Sequence, residues 1–224
     1  MPERLRLTLD LAQPLLRPLP LEERLQLALD SLLREPWLTL EAKGALFLMK
    51  GGRLQLVAQR NLDEPLQRLC AQVPLGQCLC GQVAQEGAPL ELSGVTEAHT
   101  TRYPGMPPHG HAIFPIAAGQ RVLGVLNLYL APGQALSPEA RLALEEAAGL
   151  LALAVLRERA ERAARVLHRG ARLALEAPSD LDQAASAYLK GLCALLVEEG
   201  YLLAWVGEKG PGGRVVPREA AGAV

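Results

Sequence analysis

Apolar positions along the chain fall into runs whose period changes several times. Residues 1–20 are rich in Leu but broken by Pro14, Pro18 and Pro20, and read as a leader that packs onto another element. From Leu21 to Glu35, Leu25, Leu29 and Leu32 or Leu33 recur every three or four positions. That spacing predicts an amphipathic helix, begun by Pro20 and stopped by Pro36. Glu22 and Glu23 lie in its first turn, where negative charge suits the helix dipole. Gly44–Met49, the Gly51-Gly52 turn and Arg53–Arg60 predict a β-hairpin. Short helices follow at Glu64–Gln72 and Gly81–Glu86, with a turn at Pro74–Gln77 between them and Gly87 ending the second.

Three more strands are expected: Pro89–Ser93, His111–Ala117 and Arg121–Leu130. The last is apolar on both faces, which predicts a central position. The irregular stretch from Gly94 to Gly110 is long enough to carry function. Ser137 followed by Pro138 marks the capped start of a helix running towards His168, buried all round between Ala147 and Leu156. Leu153, Leu156, Ala160, Ala163 and Leu167 keep a 3-4-3-4 spacing flanked by charges, a coiled-coil seam that predicts a parallel homodimer. Beyond Gly170 come a helix at Asp180–Glu199 and strands at Tyr201–Glu208 and from Arg214, too little sheet to stand alone. Leu202, Leu203, Trp205, Val215 and Val216 are accordingly expected to be exposed. The predicted class is α+β, a central antiparallel sheet flanked by helices. Its parts are a leader (1–20), a domain (21–159), a linker helix (160–179) and a truncated second domain (180–224).

Composition sharpens this picture. Of the 224 residues, 50% are hydrophobic and 21% charged, which excludes wholesale disorder. Aromatics are only 4%, so Leu, Val and Ala must fill the core. Lys+Arg number 23 against 24 Asp+Glu, and that balance argues against a nucleic-acid partner. Four cysteines are too few for a disulfide scaffold. The longest apolar stretch, Ala147 to Leu156, is about half the ~20 residues of a membrane span. No basic segment followed by an apolar run opens the chain, so a cytoplasmic protein without a membrane partner is expected.

Three of the four histidines lie between positions 99 and 111. If His111 opens a strand, the His109 and His111 rings share one face. Cys78 and Cys80 sit where a helix begins, and the positive end of its dipole favours thiolates. Two thiolates and two imidazoles suit tetrahedral zinc, and a mixed set suits iron. The expected metal site is therefore Cys78, Cys80, His109 and His111, with His99 as a fifth contributor from a lid. The plainer alternative is a buried cysteine, a helix cap and surface histidines in a polar loop. The same loop offers Arg102 and Tyr103 as ligand-binding groups. Cys70 reads as core, Cys193 as packing, and His168 as a surface histidine at a helix end.

Several segments carry a family resemblance: Gly44-Ala-Leu-Phe-Leu, the run from Pro74 to Gly87, Phe114-Pro-Ile, and Val122-Leu-Gly-Val-Leu-Asn-Leu-Tyr. Together they resemble a GAF domain, the small-molecule sensing module of bacterial signalling proteins, over roughly Leu21 to Arg159. The Cys78-Leu-Cys80-Gly81, His99 and His109-Gly110-His111 elements resemble one subgroup of that family. Tyr201–Gly207 looks like the first strand of a second such domain. The resemblance implies a sensor without catalysis, binding a metal ion or small ligand and passing the event along a dimer helix to a downstream output domain. Two alternatives accompany it. One is a fragment of a longer histidine kinase or diguanylate cyclase. The other is a thiol-dependent free methionine-(R)-sulfoxide reductase, whose Gly-Val-Cys-Gly element Leu79-Cys80-Gly81 resembles. That family carries a further cysteine in the loop where this chain has His99, His109 and His111.

Overall fold

Leu7, Leu11 and Leu15 recur every four positions, and the leader folds as a helix to bury them. The computed structural model describes residues 3–175, 186, 188–194, 203–209 and 215–222. Helix α1 spans Glu3–Leu15, with Pro14 in its last turn, where few helix bonds remain to be lost. It packs on α2 (Leu21–Leu32), which buries Leu25, Ala28, Leu29 and Leu32 and stops short of the expected Glu35. The chain then tightens into a single 3₁₀ turn at Pro36–Leu38.

Six strands form one antiparallel sheet: β1 (Gly44–Lys50), β2 (Arg53–Arg60), β3 (Gln72–Pro74), β4 (Leu90–Leu92), β5 (Gly110–Ala118) and β6 (Arg121–Leu130). Their order is β3-β2-β1-β6-β5-β4. Strand β6 is central, pairing with β1 on one side and β5 on the other. Two short helices, α3 (Glu64–Leu69) and α4 (Cys78–Glu86), lie between β2 and β4 in the chain. Strand β3 falls partly within the segment expected as a turn. Its three residues are extended because they pair with Arg53–Gln55, a partner too distant for local pattern to reveal. Helix α4 begins three residues earlier than expected, at Cys78.

The period-2 alternation of β5 and β6 sorts their side chains into two cores. Ala112, Phe114, Ile116, Leu126, Leu128 and Leu130 face α1, α2 and the long helix α5 (Pro138–Leu175). Ile113, Val125 and Tyr129 face the other way, towards Leu66 of α3 and Leu79, Cys80 and Val83 of α4. The Ser137 hydroxyl accepts from the Ala140 amide at 3.1 Å, the expected N-cap of α5. Contrary to expectation, α5 is not buried all round between Ala147 and Leu156: Gly149 and Leu153 are exposed. A helix lying on one sheet face has only that side covered. Helix α5 also continues well past His168, so this exposed histidine is not at a helix end.

The chain divides into two compact units, Met1–Leu156 and Arg157–Val224. In the second, residues 188–194 are helical and Cys193 is buried. Strands β7 (Leu203–Lys209) and β8 (Val215–Gly222) form an antiparallel hairpin. The remainder of the helix expected at Asp180–Glu199, Leu202, and the side-chain exposure expected for Leu203, Trp205, Val215 and Val216 lie outside the described residues.

Candidate functional site

Strand β5 begins at Gly110 because the backbone of β4 comes very close there. A Cβ on Gly110 would stand 2.6 Å from the Leu92 carbonyl oxygen. His109 and His111 flank this pinned residue, and alternation turns both rings to the α4 side of the sheet. Their centroids are 4.8 Å apart, edge to face. The loop between β4 and β5 brings in His99, whose ring stacks on His111 at 5.0 Å and meets His109 at 5.4 Å. All three are buried, with relative exposures of 4% (His99), 2% (His109) and 1% (His111).

The ring nitrogens divide into partnered and unpartnered sets. His109 Nδ1 donates to the Pro107 carbonyl at 2.7 Å, and His111 Nδ1 donates to Asn127 Oδ1 at 2.9 Å. Those bonds leave the Nε2 lone pairs of both rings free. Both Nε2 atoms, and Nδ1 of His99, are buried without a hydrogen-bond partner. One nitrogen from each ring forms a set lying within 4.8 Å of one another, a group able to hold a metal ion. Burial, reinforced by His109 and His99, outweighs the Asn127 bond and pushes His111 down to about 3; burial and His109 also lower His99. His111 and His99 are therefore neutral near pH 7, the form that binds metals.

Around the rings lies a polar frame. Tyr129 of β6 packs on His111 at 4.6 Å and on His109 at 5.0 Å. Lys43 Nζ sits 4.8 Å above the Tyr129 ring and pairs with Asp63. The Tyr103 hydroxyl donates to Asp63 at 2.8 Å, tying the loop to the body of the domain. Lys43 and then Tyr103 hold the Asp63 carboxyl below the usual range. Arg102, expected to bind a ligand, donates to the carbonyls of His99 and Thr96 and so braces the loop.

Cys78 and Cys80 lie at the same core as Tyr129 but are not brought into the group of three imidazoles. Among the described residues, no cysteine sulfur belongs to the metal-capable group, which consists of the three imidazoles alone. Cys80 is buried in that core, near the Asn127 side chain that holds His111. Burial pushes the Cys80 thiol well above its ordinary value despite its position in the first turn of α4. Desolvation outweighs the dipole here. Cys78, with a left-handed φ of 52°, is partly buried beside the same core. Cys70 caps α3, and burial raises its thiol to about 11. Sequence reasoning missed Asn127, although a lone amide in the otherwise apolar second half of β6 is a visible signal.

The profile of the GAF domain family matches residues 18–156. Among solved structures, the chain is similar to the GAF domain of a phosphoenolpyruvate-protein phosphotransferase from Coxiella burnetii, with 22% identity and a TM-score of 0.62 over 71% of this chain and 96% of that one. It is similar to the Acinetobacter counterpart at 17% identity and TM-score 0.59, over 71% and 97% of the two chains. It is also similar to a free methionine-R-sulfoxide reductase from Neisseria meningitidis in complex with its substrate, at 18% identity and TM-score 0.56, over 70% and 91%. At these identities the likeness is one of fold. No curated protein sequence matches the chain.

Proposed function

Because the chain belongs to the GAF domain family over residues 18–156, we propose that it is a non-catalytic regulatory module. In this reading a metal ion, zinc or iron, or a small molecule sits between the 93–109 loop and the sheet. One observation carries the proposal: three buried imidazoles, each with an unpartnered ring nitrogen, converge in a place that a loop closes. Leaving buried polar atoms unsatisfied costs about 1–3 kcal/mol each, so a fold that keeps three together has a use for them. The loop supplies two rings, His99 and His109, and its Asp63 tether through Tyr103, so occupancy changes how firmly the loop is held.

The response then passes to α5 and through a homodimer. Helices α1 and α5 leave Leu5, Leu9, Leu142 and Leu153 exposed, and line a groove of about 750 Å³ with Arg4, Thr8, Glu146 and Gly149 on its walls. Such a surface suits a second copy, from which a downstream output domain would receive the signal.

Sulfoxide reduction is the competing activity, because reductases share the fold. It requires a thiolate attacking sulfur and a second thiol to resolve the product. The Cys80 thiol is buried and held protonated, which disfavours that chemistry.

Hydrogen exchange on the full chain tests the regulatory reading, with zinc sulfate and a panel of small metabolites as probes. A ligand should slow exchange across residues 93–109 and alter it along α5, while free methionine sulfoxide with a dithiol reductant shows no turnover. Turnover, or a loop unaffected by every probe, overturns the reading.

A further inference from the structure

We propose that His99, His109 and His111 form a three-nitrogen site for a divalent first-row transition metal, zinc foremost, in which no cysteine takes part. This rests on the regulatory reading and names its ligand class. It departs from the thiolate-containing set that the sequence suggested.

The donor atoms are prepared before any ion arrives. The Pro107 carbonyl can only accept, so His109 must carry its proton on Nδ1; the Asn127 carbonyl oxygen imposes the same tautomer on His111. Both Nε2 atoms then present lone pairs, and each ring is oriented from behind by a backbone carbonyl or an amide, the usual outer support of a metal-binding imidazole. His99 adds its unpartnered Nδ1 from the loop. Nitrogens bound tetrahedrally at 2.0–2.1 Å lie about 3.4 Å apart. The observed set falls within 4.8 Å, a gap that ring rotation and a small inward shift of the loop can close.

Charge decides what completes the shell. Among the described residues no carboxylate and no thiolate belongs to the set, so imidazole ligation leaves a bound dication with its full charge. The Cys80 thiol lies outside the set, and the charge of Lys43 is balanced by Asp63. The fourth position therefore falls to a water or a small anion from solvent, the arrangement of an open site rather than a closed structural one.

The test uses the untagged full-length protein, stripped with a chelator and titrated with Co²⁺ and Zn²⁺. One ion per chain is expected, with visible cobalt d–d bands and no thiolate-to-cobalt charge-transfer band in the near ultraviolet. Azide should shift the visible bands by taking the fourth position. The Cys78→Ser/Cys80→Ser variant should bind equally well, whereas His99→Ala, on the loop, should weaken binding at least about 100-fold with its circular dichroism unchanged. Asn127→Ala should weaken it about tenfold. A charge-transfer band, undiminished affinity in His99→Ala, an azide-insensitive spectrum, or no uptake at about 10 μM free ion overturns the site. Metal uptake that leaves the exchange of α5 unaltered supports this site and overturns only the regulatory reading. A metabolite that protects the loop in a protein that takes up no metal does the reverse.

Discussion

A buried imidazole without a counter-charge is a liability in acid, and His111 makes that liability measurable. Its ordinary pKa is 6.5 and burial holds it near 3 in the folded, metal-free protein. Below pH 6.5 the unfolded chain takes up a proton that the folded chain refuses. The stability that His111 contributes is thus complete above pH 6.5 and lost as pH falls towards 3, at about 1.4 kcal/mol per pH unit. Urea midpoints of the metal-free protein should drop between pH 7 and 4, and His111→Gln should flatten that slope; an unchanged slope would place the acid sensitivity elsewhere. At this scale the sequence was partly legible. His109 and His111 two residues apart, and a third histidine in the same stretch, were enough to expect convergence. The thiolate preference expected at the start of α4 is opposed at Cys80 by burial, which outweighs the dipole there. Asn127, which orients His111 and meets Cys80, becomes meaningful only once β5 and β6 are in register.

Among the elements, the strongest local patterns translated directly. The β1–β2 hairpin, the Ser137 cap and the extent of β6 follow from Gly-Gly, Ser-Pro and a largely apolar run. Strand β3 and helix α1 did not, since one depends on a partner strand and the other on a helix that covers its leucines. A glycine marks the tightest junction between elements. A Cβ on Gly124 would lie 2.2 Å from the Phe47 carbonyl oxygen, which belongs to the paired backbone of β1 and cannot swing away. Gly124→Ala should therefore cost about 3 kcal/mol, read as a lower denaturant midpoint. A loss under about 0.5 kcal/mol, the scale of ordinary surface substitutions, would mean that β1 and β6 can part there without penalty.

For the whole molecule, the long helix is the feature whose role reaches furthest from the histidines. Ala160, Ala163 and Leu167 are exposed along it, and Leu153 is exposed one turn and more before them. Replacing Ala160 and Ala163 with Glu sets like charges at facing positions of a parallel pair. Light scattering should then report a shift from dimer to monomer, and an unchanged mass in a dimeric parent would refute the seam. The sheet order carries a consequence of another kind. Each half of the sheet starts from a hairpin of chain neighbours, β1 with β2 and β5 with β6, while the join between halves pairs residues 44–48 with residues 124–128. During synthesis the first hairpin emerges long before its mate and waits with the β1 edge unpaired, Ala45, Phe47 and Leu46 exposed to whatever strand arrives first. Closure across that edge, with its large separation in sequence, is the slow event of folding. The ribosome and its attendant chaperones thus meet this protein as half a sheet, and its yield in a cell depends on how long that half survives alone.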